Sequence, residues 1–332
     1  GLDSLKLQNL YLFGGVDIYY LYDFNDPYSK NRPGFEYSHT RANQISLNTG
    51  IFGFGYEDNE VRSKLGFVFG DYSNSNYAGE PIGLRNIMEA NVGFKFAPRV
   101  WFDAGVFGSH IGFEAAFGPD NPTLTRSIVA NSSPYFETGA KLTYTPSKKW
   151  VVSALVINGW QNIQDNNENK AFGSQVTFKP KHNILFNYST FLGEGYNNPD
   201  TIKIRFFNNF YTLIDVKDSI HIALQVDYGI EEGDTWYGFT LIASQDLTNR
   251  LTMVGRVEYF KDKNQITYVT NTDSGFELGG ASVGVDYKIT HDVLLRTEAK
   301  VLFSPDDIFE RGTGVHNQDV VWTTSLSFNF NR

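Results

Sequence analysis

Three charges in the stretch VLLRTEAKVLF (293–303), Arg296, Glu298 and Lys300, stand two residues apart among Leu295, Thr297, Ala299, Val301 and Phe303. A helix turns about 100° per residue and would scatter them around its axis; a strand alternates faces and puts all three on one side. The same kind of spacing recurs in Glu137/Lys141 and Arg256/Glu258, and more loosely in Glu89/Lys95. Alternating signs on one wall do electrostatic work. They pair across strands, or they make a transverse field that orders water and small solutes. The residues expected on this polar face are Arg62, Lys64, Glu89, Lys95, Asp103, Glu137, Lys141, Lys203, Arg205, Asp227, Arg256, Glu258, Asp286, Lys288, Arg296, Glu298 and Lys300, ten basic and seven acidic. Arg62, Lys64, Lys203 and Arg205 would favour anions if they sat together.

Covalent and metal chemistry find less support. GASVG (280–284) matches a nucleophile elbow, but that elbow needs a strand, a sharp turn and a helix. Here FELGGASVGVDYK keeps alternating through Val283, Val285 and Tyr287, so Ser282 reads as an interior residue of a strand. A phospholipase or protease would need a His beside a Ser or carboxylates. Of the six histidines, His182 and His291 fall in expected short turns, His39 and His316 in long loops, and only His110 and His221 on strands. No two are spaced as metal ligands, and there is no Cys. QDNNENK (164–170) and DFNDP (23–27) carry oxygen ligands without the spacing of a calcium loop. No catalytic residue, metal or cofactor is assigned.

Strands must position these charges. Period-two segments recur, as in NIMEANVGFKF (86–96), PYFETGAKLTY (134–144), SIHIALQVDYGI (219–230) and RLTMVGRVEYF (250–260). About sixteen strands are expected, near 8–23, 43–57, 60–73, 86–97, 100–112, 134–145, 149–161, 170–179, 183–193, 201–214, 219–231, 234–245, 250–262, 275–288, 292–304 and 319–331. Those at 149–161 and 183–193 are greasy on both faces, which leaves their parity open. Connections alternate between short (EDN, PR, PSK, PKH, VKD, QDLTN, ITH) and mostly long, the pattern of hairpins with all tight turns at one end. Pro98, Pro146 and Pro180 follow strand ends, where a missing N–H costs no ladder bond. No linker or composition shift divides the chain, so residues 1–332 read as one domain, with 1–7 a short N-terminal segment before the first strand. GLDSLKLQN looks like the start of a mature or trimmed chain.

The 332 residues are 41% hydrophobic and 16% aromatic, with 28 Phe, 19 Tyr and 31 Gly, a composition suited to strands and turns. A net charge of −9 argues against nucleic acid as a partner. No apolar run approaches the roughly 18 residues of a spanning helix. A mean hydropathy of −0.31 reads as soluble, but alternating strands average out in any window. The choice lies between a soluble β protein, greasy face inward, and a membrane barrel, greasy face outward. A barrel of about sixteen strands encloses water, so its inner face must be polar. Strands of this length cross a bilayer at a tilt, and closure removes edges that lipid cannot satisfy. Phe96, Trp101, Phe102, Tyr144, Trp150, Phe178 and Tyr287, near the short-turn ends, suit an interfacial girdle. A sandwich or propeller is the alternative; a propeller would show a blade repeat, and none is seen.

The end WTTSLSFNFNR sets Trp322, Leu326, Phe328 and Phe330 on one face and resembles the closing strand of outer-membrane barrels. The whole chain resembles 16-stranded porins. It is most similar to the OmpL-like beta-barrel porin-2 group of Bacteroidota, through its Asn/Tyr/Phe-rich strands, the turns in YTPSKKWVV and FKPKHNILF, and that aromatic end. The resemblance implies an all-β, single closed antiparallel transmembrane barrel in the outer membrane of a Gram-negative bacterium. Short turns and both termini would be periplasmic, and long loops extracellular. It implies passive diffusion of small hydrophilic solutes or ions, with membrane lipid and lipopolysaccharide as surroundings. A homo-oligomer or an envelope complex stays open, and the rival function is a narrow scaffold barrel. The connection 113–133 falls where the third long loop of general porins folds inward. By that resemblance Glu114, Asp120 and Arg126 could line a constriction; the alternative is an external loop tip. On this reading a charge at Ala299 meets lipid, and a charge swap at Glu298 at most retunes conductance.

Overall fold

The alternation closes on itself. In the computed structural model, which describes residues 9–167, 169–195 and 203–331, the elements are β1 (Leu10–Asp23), β2 (Ile45–Glu57), β3 (Val61–Phe69), α1 (Asp71–Asn76), β4 (Ile87–Ala97), β5 (Val100–Gly108), α2 (Ile128–Asn131), β6 (Phe136–Ser147), β7 (Trp150–Ile157), β8 (Ala171–Lys181), β9 (Ile184–Glu194), β10 (Ile204–Lys217), β11 (Ile220–Glu231), β12 (Asp234–Asp246), β13 (Leu251–Asp262), β14 (Phe276–Lys288), β15 (Val293–Phe303), β16 (Phe309–Arg311), β17 (Gly314–His316) and β18 (Gln318–Asn331). The segment 1–7 lies outside the described residues. β1 to β15 pair antiparallel with their neighbours in chain order, and β18 joins β15 to β1 and closes a sixteen-stranded barrel. β16 and β17 form a separate small hairpin within the last long loop.

Faces follow the period. On β15, Leu295 is 38% and Phe303 53% exposed, whereas Arg296 is 2% and Glu298 1% exposed. Val16, Ile18, Phe52, Phe94, Leu241, Val257 and Phe328 are likewise exposed and present an apolar outer belt to lipid. The two strands of open parity resolve cleanly: Ser153, Leu155 and Ile157 on β7, and Asn187, Ser189 and Phe191 on β9, are buried, alternating with exposed neighbours. The outer girdle holds the stacked pair Trp150–Phe178, with ring centroids 4.1 Å apart, and Phe94–Phe102 at 5.4 Å. Trp101 departs from the expected girdle. It shares parity with inward Asp103, and the Arg62 guanidinium lies 4.5 Å from its ring.

Strand ends also differ from expectation. β3 stops at Phe69 because Gly70, at φ 112, turns the chain into α1. β5 stops at Gly108 because the chain there leaves the wall and enters the lumen. β10 lies three residues further along the chain than the sequence places it, which leaves Lys203 outside the strand, exposed at the extracellular rim.

Candidate functional site

The segment between β5 and β6 crosses the lumen and is bonded to the far wall along its length. His110 opens the crossing. Its Nδ1 faces the Glu137 carboxylate at 2.8 and 2.9 Å, and its Nε2 faces the Thr190 carbonyl oxygen at 2.8 Å. Burial pushes this imidazole down, but Glu137 and the Thr190 carbonyl outweigh it and raise its pKa. Gly112 N–H then donates to Asn209 on β10 (3.1 Å). Further along, Thr125 N–H and Oγ1–H donate to Glu298 at 2.7 and 3.0 Å. Ile128 N–H donates to Glu258 at 2.8 Å. Arg296 donates to the carbonyls of Gly118, Asn121 and Pro122 while paired with Asp286 at 2.8 Å. Glycines in the wall admit the loop: a Cβ on Gly15 would lie 2.5 Å from the Phe117 ring, and one on Gly238 would lie 2.8 Å from Val129.

The charge ladder therefore does not face open water, as the sequence reading held. Arg296, Glu298 and Lys300 are covered by loop, as are Arg256 and Glu258. Lys300 Nζ meets Glu36 at 2.9 Å and Glu258 at 3.7 Å; Arg256 meets Glu298 at 3.1 Å and Glu258 at 3.4 Å. Glu36 belongs to the first long loop, which also folds inward, with Arg32 between Asp319, Asp23 and Glu36. Burial pushes the Glu36 carboxyl up, but Lys300 and Arg32 override it and hold it below the usual range. These buried charges neutralise one another and bond the loop backbone, whereas lone charges at such depth would carry a heavy desolvation cost.

The three proposed constriction residues part company. Glu114 is buried and accepts hydrogen bonds from Ser127 N–H and Oγ–H. Burial raises its carboxyl above the usual range despite Arg256 and those bonds. Arg126 is also buried. It donates to the Ala115 and Ala116 carbonyls and lies 4.3 Å from the Tyr72 ring and 4.0 Å from the Tyr135 ring. Both shape the loop from within. Asp120 alone is exposed, where it lines a cavity of about 540 Å³ between the loop and the β1–β5 wall, together with Lys64 and Glu89. Lys64 and Glu89 pair at 2.8 Å, and the Lys64 ammonium sits 4.8 Å over Phe13. Although its surface is open to the cavity, the loop and wall around Asp120 thin its hydration and raise its carboxyl despite Lys64.

Other residues expected on the polar face take local partners. Arg62 grips Asp103 through Nε and Nη2 at 2.6 and 2.5 Å. Lys141 lies 4.5 Å over Phe107. Glu137 holds His110 and Ser109. Arg205 pairs with Glu231 at 2.8 Å and sits against Trp160 and Trp236. Lys95 is exposed near the β4–β5 turn. Arg62 and Lys64 on β3 and Arg205 on β10 are seven strands apart around the wall, so the suspected anion cluster does not form. Among the described residues no three His, Asp or Glu side chains gather as a metal site, and GASVG runs straight through β14 without a turn.

The sequence reading missed how many loops enter. Phe35, Ile128, Val129 and Phe309, from three loops, pack on Leu278, Leu302, Phe260 and Trp236 of the wall. Their signal was apolar residues inside otherwise polar connections. Above this packing, a second cavity of about 690 Å³ opens among the extracellular loops, lined in part by Tyr37, Glu80, Phe136 and Gln161. Tyr77, on the lower cavity, stacks on Phe136, on the upper one, at 4.2 Å between ring centroids.

Several solved barrels share this fold. The outer membrane channel DcaP of Acinetobacter baumannii matches at 9% identity and TM-score 0.66, covering 97% of each chain. Salmonella typhi OmpF, solved in complex with daunomycin, matches at 10% identity and TM-score 0.67, again over 97% of each. An anion-selective porin from Comamonas acidovorans matches at 11% identity and TM-score 0.62, over 97% of this chain and 99% of that one. No curated protein matches the sequence. A family model described as "Putative beta-barrel porin-2, OmpL-like" matches residues 9–330, and the chain belongs to that family.

Proposed function

We propose that this outer-membrane porin passes small hydrophilic solutes or ions along one route: in through the extracellular cavity, past Tyr77 and Phe136, then down the charged cavity beside the inward loop. The observation that carries this is the position of Asp120 on the loop, with Lys64 and Glu89 on the wall of the same cavity. Opposite charges across a narrow passage order water and polar solutes at little cost to throughput. Selectivity then rests on Lys64, Glu89 and Asp120. The ladder Arg256, Glu258, Arg296, Glu298 and Lys300 sets the aperture by holding the loop.

The chain is inferred to act without covalent chemistry. His110 has both ring nitrogens engaged, and His39 sits buried beside Asp17 at 3.4 Å, away from the cavity lining. The rim loops would lie at the level of lipopolysaccharide. Apolar packing of three loops across the upper lumen favours, as second reading, a narrow barrel that serves as scaffold in an envelope complex.

Purified protein in a planar bilayer separates the two. Stepwise, salt-dependent conductance is expected; a correctly folded barrel that stays silent, and that comes out of native membranes with stoichiometric partners, supports the scaffold instead.

A further inference from the structure

The two cavities differ in chemistry. The lower one holds Lys64, Glu89 and Asp120. The upper one, of about 690 Å³, is lined among the described residues by six amide side chains, Asn76, Asn131, Gln161, Asn162, Gln164 and Asn166. Three segments bring them together: α1 supplies Asn76, α2 supplies Asn131, and the β7–β8 connection supplies the other four. Glu80 is the one carboxylate among the described lining residues, and it is engaged by the backbone N–H groups of Ile163 (2.6 Å) and Gln164 (3.2 Å). Gln161 ties the segments to one another. Its Oε1 accepts from Tyr135 N–H at 2.7 Å, and its Nε2 donates to the Asn76 carbonyl and Oδ1 at 3.2 Å each. Its backbone sits at φ 95, a region that favours glycine, and strain of this kind is kept where a side chain must be held in place. Asn131 is 7% exposed and donates through Nδ2 to Glu36 at 2.9 Å, but its Oδ1 accepts no hydrogen bond from any described residue. A buried acceptor without a donor costs stability.

We propose that the upper cavity is a binding site for short neutral oligosaccharides; the inference rests on the reading of this cavity as the entrance of the route. Its volume falls in the range of small-molecule sites, roughly 300–1,000 Å³. A sugar hydroxyl both donates and accepts, and so does a carboxamide, so a wall of amides pairs with a polyol from several sides. Asn131 Oδ1 would take one sugar hydroxyl. The C–H face of a pyranose packs on an aromatic ring, and half-buried Tyr37 lines the same cavity. A charged solute would shed water here and meet no free counter-charge among the described lining residues. The upper cavity therefore selects for hydroxyls and the lower one for charge.

Trp160 lines the cavity, so binding is read by tryptophan fluorescence of the purified, folded barrel, whether or not that barrel conducts. The probes are raffinose, maltotriose and cellotriose, with trigalacturonate as a charged trisaccharide. At least one neutral probe should change the emission saturably, and trigalacturonate should bind at least tenfold more weakly. Asn162→Ala combined with Gln164→Ala, at half-buried and exposed positions, should weaken the neutral probe about tenfold in a barrel whose folding is checked by heat-dependent gel migration. Lys64→Ala, in the lower cavity, should leave the affinity unchanged. In a planar bilayer the same probe, added on the extracellular side, should interrupt the current reversibly. Saturable binding to a barrel that stays silent would sink the route and leave the sugar site standing. No saturable binding of any neutral probe, equal binding of trigalacturonate, or an affinity unmoved by the double variant would each overturn the proposal, with or without conductance.

Discussion

Glu298→Ala tests how the pore gets its shape. The side chain accepts three hydrogen bonds at 3.1 Å or less, from Thr125 N–H, Thr125 Oγ1 and Arg256, at 1% exposure. Removing it leaves a buried amide without an acceptor and takes one of two carboxylates from the buried Arg256 guanidinium. Breaking one side of a buried, hydrogen-bonded charge pair costs about 3–5 kcal/mol. At about 1.4 kcal/mol per decade, that is a factor of roughly 10² to several 10³ against the docked loop. The wall itself loses nothing comparable, because the strand hydrogen bonds of β15 involve only backbone. The expected variant is a folded barrel with a loosened loop. Single channels in a planar bilayer should show larger and noisier conductance than wild type. Trypsin should cut after Arg126, which is 2% exposed in the docked loop. A folded Glu298→Ala barrel with wild-type conductance and a protected Arg126 would refute the argument that the ladder holds the loop.

Further outcomes are expected from the same geometry. Ala299→Arg, one residue away but facing lipid, should instead lower barrel stability by about 2–4 kcal/mol near the midplane, read as a shift in urea midpoint with unchanged conductance in the surviving barrels. Lys64→Ala removes the cation that faces Glu89 and Asp120 in the lower cavity, so the reversal potential in a salt gradient should move toward cation selectivity. Tyr77→Ala removes one partner of the ring pair between the two cavities and should raise conductance; an unchanged value would place the narrowest point elsewhere. The pH dependence has two signs. Glu36, held low by Lys300 and Arg32, supports loop docking above its ordinary range and loses that support as pH falls through its lowered value, below about 4.5. His110, raised by Glu137, supports docking below about 6.5 and loses it as pH rises through its raised value. Conductance noise measured against pH should rise at both ends, and Glu36→Gln should bring the acid-side behaviour to neutral pH.

Strand positions were legible because the side-chain period of a strand is two and the wall has a dry side and a wet side. Arg296, Glu298 and Lys300 could be placed on the inner face from that alone. What lies against an inner face leaves no trace in the wall's own period, so water and a docked loop look alike there. The docking partner was written in the loop instead, in Val129, Phe35 and Phe309, apolar residues without periodicity. Trp101 shows the reverse error: its aromatic character suggested the membrane interface, whereas parity with Asp103 placed it beside Arg62.

The contact between Thr125 and Glu298 joins residues 173 positions apart, and closure of the sheet joins β1 to β18. Order of assembly follows from this. The segment that crosses the lumen is made early, yet every wall residue that grips it from β13 and β15 is made late. Until then the loop has its internal bonds, such as Glu114 to Ser127, and the earlier grips of His110 on Glu137 and Thr190 and of Gly112 on Asn209. Closing a loop of this length costs on the order of 5 kcal/mol in chain entropy, and it is recovered only when β15 docks. A nascent chain halted before β13 would therefore carry the lumen-crossing segment with its His110 end anchored and its Thr125 end loose, and the full grip on that segment is among the last features of the molecule to exist.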